Sequence, residues 1–260
     1  MKNIFNRIYD YRELLKTNVR KDIRGKYKRS ILGILWSFIN PLLQVVVYAI
    51  VFPHLFGATT QNYLVYLITG LIPWLFFQLT VSQGTIAIKA NAGIIKKVYF
   101  PREILPLSMV ISGLINFFIS CIIIIIFCLI FGVGISWHLI YVPLIAVIES
   151  ILILGIVLIL SAVDVYIQDT EYIVQFILNM MMYGTPIIYD IAAFKGTGIL
   201  HQLILLNPMT QLVFAYRNSF VYHVIPDMKM LGLVAIFSIV LTVIGYWIFQ
   251  KLEKRFAEEL

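Results

Sequence analysis

Three sets of residues in this 260-residue chain have types and spacings that can do chemistry. The first is Glu149, the one carboxylate inside an apolar run that extends uncharged from Ile104. An acid left unpaired in lipid costs several kcal/mol, so it is a functional candidate by default. One acid is not a proton relay, however, and Glu149 can equally be protonated or hydrogen-bonded within a bundle. The second set is Asp164, Asp169 and Glu171 in DVYIQDTE, the only carboxylates placed to hold a donor sugar. That setting is too small for a nucleotide-sugar domain. The third is the basic stretch Lys89 to Pro106, KANAGIIKKVYFPREILP, whose chemistry is recognition: a protein partner gripping it would move the segments on both sides.

Other chemistries lack their residues. No G-x-x-x-x-G-K-[ST] phosphate loop occurs, so the chain does not hold ATP in that way. No Ser/His/Asp set suggests itself. His54, His138, His201 and His223 have no ligand partner at helical spacing, so no metal site is expected and interfacial anchoring is the better reading. Cys121 and Cys128 share a helical face but lie too far apart for a disulfide, and read as small packing residues.

The elements that must position these residues are membrane spans. Hydrophobic residues make up 61% of the chain and charged ones 13%, against about 25% in ordinary soluble domains. The net charge of +7 gathers beside the apolar runs, where topology and anionic lipid account for it rather than nucleic acid. A bilayer core about 30 Å thick needs roughly 20 apolar helical residues. Spans are therefore expected at about 31–56, 63–88, 104–131, 139–163, 172–189 and 230–249, with Asn40-Pro41 kinking the first. Residues 89–103 form a cytoplasmic turn with a short helix over Ala92 to Tyr99, and Asp164 to Glu171 form a second inner turn. Residues 190–229 read as an outer segment holding two short re-entrant helices, Leu200 to Leu206 and Thr210 to Tyr222.

Residues 1–30 carry ten Lys/Arg beside an apolar stripe, Ile4, Ile8, Tyr11, Leu15, Val19 and Ile23. That pattern predicts an amphipathic helix in the headgroup plane rather than a cleaved signal peptide. This topology puts seventeen of the twenty Lys/Arg inside. Such a bias predicts cytoplasmic N- and C-termini in a multi-pass protein of the cytoplasmic (inner) membrane. The fold class is all-α, a single transmembrane domain over 1–260. Only one buried acid and no internal repeat are present, so the energy for transport is expected to come from elsewhere.

Three stretches carry a family resemblance. YKRSILGILWSFINPLLQVVVY (Tyr27 to Tyr48) resembles the opening signature of the membrane subunits of ATP-binding-cassette polysaccharide exporters, which export teichoic acid, O-antigen and related cell-wall glycans. KKVYFPREILPLS (Lys96 to Ser108) resembles their inner turn, and TPIIY, NPM and YR (Tyr216, Arg217) resemble their outer segment. The matches run in order across about four-fifths of the chain. The resemblance implies a homodimer, each subunit resting on a separate cytoplasmic nucleotide-binding ATPase, in a two-plus-two complex. The chain itself would hold no cofactor, ATP and Mg being bound by the partner. The substrate implied is a glycan on a polyprenyl diphosphate lipid.

Carried over residue by residue, the resemblance makes the turn the element coupled to the ATPase: Asn91, Ile94, Ile95, Lys96, Lys97, Val98, Tyr99, Phe100, Arg102 and Glu103. The N-terminal helix becomes the interface helix beside the ATPase, and the outer helix pair flanks the channel exit. Lys26 and Gln168 stand where the family pattern suggests arginine, and Gln168 leaves open how the second inner turn meets the ATPase. Sugars present C–H faces that aromatic rings can guide. Trp36, Phe38, Tyr48, Phe52, Trp74 and Phe77 are therefore candidates for lining the substrate pathway, although aromatic belts occur at both interfaces of membrane proteins generally. Two competing functions remain: an exporter of drugs or small lipids with the same architecture, and a membrane enzyme or scaffold of glycan synthesis.

Overall fold

The computed structural model describes residues 9–25, 36–56, 62–191 and 198–260. Within them the chain is all-helical, with no strand. Helix α1 is Arg12–Gly25, α2 Trp36–Phe56 and α3 Tyr63–Thr85. A 3-10 turn, Lys89–Asn91, leads into a single-turn helix α4, Ala92–Ile95. There follow α5 Ile104–Ile130, α6 Tyr141–Tyr166, α7 Thr170–Tyr183, α8 Ile199–Leu206, α9 Pro208–Arg217, α10 Met228–Leu252 and a final turn α11 Phe256–Glu259.

Among the described residues four helical stretches are long and apolar enough to cross a bilayer: Tyr63–Thr85, Ile104–Ile130, Trp137–Tyr166 and Met228–Arg255. They differ in what they bury. In Tyr63–Thr85 78% of the apolar window lies inside the protein, and in Met228–Arg255 22%. Helix α3 is thus the axis around which α2, α5, α6 and α9 pack, while α10 presents most of its surface outward. A helix apolar on every side is suited to such a centre.

Helices α6 and α10 approach until their backbones touch. A Cβ added at Gly245 would come within 2.6 Å of the Gly155 carbonyl oxygen, and one at Gly155 within 2.8 Å of Thr242 N. The Thr242 hydroxyl donates across the crossing to Ile151 O at 2.8 Å. Small residues let membrane helices close to this distance, where dispersion contacts replace a hydrophobic driving force that lipid does not supply.

Several boundaries differ from the sequence-based expectation. The helix of the basic turn spans only Ala92–Ile95, not Ala92 to Tyr99; Pro101 disfavours helical geometry just before it, and Val98 to Phe100 have no regular structure. Asp164 belongs to α6 rather than to a turn; only Ile167 to Asp169 separate α6 from α7. Helix α7 stops at Tyr183, and the stretch expected to carry the span on to Tyr189 is non-helical. Pro186 lacks the N–H that helix propagation needs, and the carbonyls of Pro186 to Tyr189 accept from side chains instead. The second short helix ends at Arg217 and gives way to a π-turn, Asn218–Tyr222. Helix α2 runs through Pro41 without a break in its helical assignment. Residues 1–8, 26–35, 57–61 and 192–197, with Ile4 and Ile8 of the amphipathic stripe and most of the outer turn after the first span, lie outside the described residues.

Candidate functional site

The basic turn is divided by its own packing into two faces. Asn91, Ile95, Phe100 and Glu103 are buried. Ile95 and Phe100 join Ile88, Leu105, Leu158, Ala162, Val165, Phe249 and Phe256 in an apolar cluster separate from the main core. That cluster collects one end of α3, α5, α6 and α10, and Tyr11 and Leu14 at the start of α1 pack against it. Gly93, Ile94, Lys96, Lys97, Val98 and Tyr99 point away, with Tyr99 87% exposed and Val98 58%. Two cations, an aromatic ring and two aliphatic side chains thus stand clear of a rigid base. Of the ten expected coupling residues, four form the anchor and five the outward surface, and Arg102 lies between.

Polar bonds hold the base from three sides. Lys89 Nζ lies 3.0 Å from Asp164 Oδ1 at the end of α6, and Asp164 is fully buried. Lys21 of α1 donates to Asn91 Oδ1 at 3.1 Å, while Asn91 Nδ2 donates to Ala87 O at 2.8 Å, closing the turn upon α3. Arg102 donates to Glu253 O at the end of α10, with its guanidinium over the Phe256 ring. Tyr166 donates to Leu252 O at 2.7 Å alongside. Helix α1 is fastened further by Ser108 donating to Asp22 Oδ2 at 3.3 Å, and its stripe residue Val19 is buried in the protein. The apolar stripe therefore meets α5 as well as whatever lies beneath it. Along its exposed side Lys16 Nζ bonds Glu13 at 2.9 Å, and that bond holds the Glu13 carboxyl below its usual range.

Asp164 was visible in the sequence only as one of three inner acids. The signal that finds it is its distance from the ends of the apolar runs: Lys89 and Asp164 are the first charges beyond two uncharged stretches.

At the opposite end of the bundle the structure brings together residues that composition counts merely as outer polar groups. Arg217, 1% exposed, donates through Nη1 to the Tyr66 hydroxyl at 2.8 Å and to Pro186 O at 2.6 Å, and through Nη2 to Ile187 O at 2.8 Å. Tyr66 and Tyr63 donate to Tyr189 O and Ile188 O, each at 3.0 Å. Every bond serves the non-helical stretch after α7, whose carbonyls no helix satisfies. Asn207 caps α9, accepting from Met209 N, and gives its own amide to Thr185 at 3.0 Å. One residue earlier on α9, Tyr216 donates to Glu149 Oε2 at 2.8 Å, both side chains fully buried. Glu149 is thus a hydrogen-bonded bundle carboxyl, joining α6 to α9.

The aromatic candidates are spread. Trp74 and Phe77 are 0% and 2% exposed, their rings 5.5 Å apart inside the main core, so neither offers its face to a channel in this conformation. Helix α3 is enclosed on nearly all sides, which hydropathy alone does not distinguish from a lipid-facing span. Trp74 Nε1 does donate to Gln78 at 3.1 Å, and Gln78 donates on to Asn179 at 3.0 Å on the exposed side of α7. Tyr48 is half-buried, its hydroxyl 3.9 Å from Met182 Sδ. The side chains of Trp36, Phe38 and Phe52 lie outside the described residues.

Among the described residues no group of His, Cys, Asp or Glu is arranged to hold a metal ion.

Comparison with known proteins gives concordant matches. Residues 13–221 match the family ABC2_membrane, ABC-2 type transporter. The chain is 30% identical over 260 residues to the O-antigen export system permease protein RfbA of Myxococcus xanthus, covering 100% of both. It is 35% identical over 251 residues to a protein of the same name from Klebsiella pneumoniae, covering 95% of each.

Proposed function

The chain belongs to the ABC-2 type transporter family, a family of membrane transport subunits, and from that premise we propose that it exports polyprenyl-diphosphate-linked polysaccharide, of the teichoic acid or O-antigen kind, across the cytoplasmic membrane. ATP and Mg are bound by a separate cytoplasmic ATPase. Two copies of this chain pair with two of that subunit. The observation that carries this reading is the two-faced basic turn: Ile94, Lys96, Lys97, Val98 and Tyr99 stand out from a base fixed to α1, α3, α6 and α10. A partner pushing on such a surface displaces several helices together rather than bending a loop. The relatives named for O-antigen export support the substrate class.

The topology proposed has six crossings with both termini and the basic turn in the cytoplasm. Beyond the four long spans, α2 supplies the first. The fifth is α7 continued by the stretch to Tyr189: 14 helical residues rise only about 21 Å, and irregular backbone makes up the remaining depth. Non-helical chain is tolerated there only where protein satisfies it, which the Arg217, Tyr63 and Tyr66 bonds support. Helices α8 and α9 form the re-entrant pair. The glycan path runs along α2 and α7, where the Tyr48 hydroxyl lies 3.9 Å from Met182 Sδ and α7 exposes Tyr172, Phe176, Asn179 and Tyr183. Trp74 and Phe77 support that face from behind through Gln78 and the core.

Reversing both cations, Lys96→Glu with Lys97→Glu, tests the coupling. The partner ATPase should no longer co-purify, while the solubilised chain keeps its helical content. Retained association with undiminished ATP hydrolysis would overturn the assignment. Accumulation of lipid-linked glycan in cells lacking the protein tests the substrate.

A further inference from the structure

We propose that Arg217 is the positioning residue that fastens the re-entrant helix pair to α3, so that displacement of the basic turn reaches the pair through one continuous rod. This rests on the coupling role proposed above. Helix α3 makes the fastening consequential. Its 23 residues rise about 34 Å. One end is joined to Lys89–Asn91 by the three-residue turn Ile86 to Ile88, and the other carries Tyr63 and Tyr66.

The seat is built for a guanidinium. Its central carbon lies 3.5 Å from the centroid of the Tyr66 ring, so the cation stacks on the same side chain whose hydroxyl it bonds. That hydroxyl in turn donates to Tyr189 O. Tyr63, Tyr222 and Asp190 complete the charged and titratable surroundings. A Cβ at Gly70 would stand 2.7 Å from Nη2, so glycine there leaves the space the fork occupies. A lysine has one point of charge and no plane; it cannot stack and reach two carbonyls together.

A side chain that only plugged a gap would bond to one neighbouring segment. Arg217 bonds two, α3 and the stretch after α7, from a third, α9. Its neighbour Tyr216 binds α9 to α6 through Glu149. The pair is thereby seated on the two helices that the Lys89–Asp164 ion pair joins at the other end.

The test uses the full complex with its ATPase in lipid nanodiscs, carrying an environment-sensitive fluorophore at Leu206→Cys. Leu206 is 77% exposed, whereas the native Cys121 and Cys128 are buried. Mg-ATP should shift the emission of the parent. Tyr66→Phe, which keeps the ring and removes the hydroxyl, and Arg217→Lys should each lose most of that shift while the complex stays assembled and hydrolyses ATP. A full shift in both variants overturns the proposal, and so does a loss that merely tracks disassembly in Arg217→Lys while Tyr66→Phe shifts like the parent. A parent that shifts with ATP but moves no lipid-linked glycan would count against the substrate reading and leave the fastening intact.

Discussion

Replacing Lys89 by leucine isolates the anchoring of the basic turn. The substitution leaves Asp164, fully buried at the end of α6, without the cation 3.0 Å away. Stranding one member of a buried pair costs about 3–5 kcal/mol. The Lys89 side chain keeps 29% exposure, and water screens the pair to that extent, so the expected loss is the lower figure, about 3 kcal/mol. The companion Asp164→Leu should be milder, because the lysine can turn to solvent. Removing both charges, Lys89→Leu with Asp164→Leu, should restore stability to within about 1 kcal/mol of the parent, since apolar pairs often replace buried ion pairs without loss. Equilibrium unfolding of the four proteins in mixed micelles, followed by helical circular dichroism, gives the coupling energy as a double-mutant cycle. Additive single effects, or a Lys89→Leu variant within about 0.5 kcal/mol of the parent, would refute the claim that this ion pair fixes the turn.

Three further outcomes follow from other contacts. Glu149→Gln keeps an acceptor for the Tyr216 hydroxyl and should unfold within about 1 kcal/mol of the parent in the same micelle assay, whereas Glu149→Leu strands that hydroxyl and should cost about 1–3 kcal/mol. Gly245→Val forces a side chain against the Gly155 carbonyl at the α6–α10 crossing; overpacking of this kind costs about 1–3 kcal/mol and should lower the midpoint of thermal unfolding, with Gly232→Val, in open space on the same helix, as the unaffected control. Asn207→Ala removes the cap of α9 and the amide bonded to Thr185, a loss of about 1 kcal/mol or more that hydrogen exchange should register as faster exchange at Met209.

What the amino-acid sequence determined alone was whatever depends on composition along the chain. Runs such as Tyr63 to Ile88 and Ile104 to Phe131 are long and uncharged, and burying backbone in lipid leaves helix as the open-chain solution. The basic turn between them was equally legible, because charge marks a boundary whatever the fold. Tertiary contact decided matters that composition leaves degenerate. Trp74 and Tyr172 are both aromatic residues of apolar helices, yet one is 0% and the other 70% exposed, since only packing chooses which helix is central. Asp164 and Arg217 read as turn and surface charges because hydropathy assigns each residue a fixed cost of burial. Their partners remove that cost: a lysine 75 positions earlier for one, two carbonyls and a tyrosine for the other. The end of α7 at Tyr183 depends on the same long-range donors, without which the carbonyls of Pro186 and Ile187 would have had to stay in a helix.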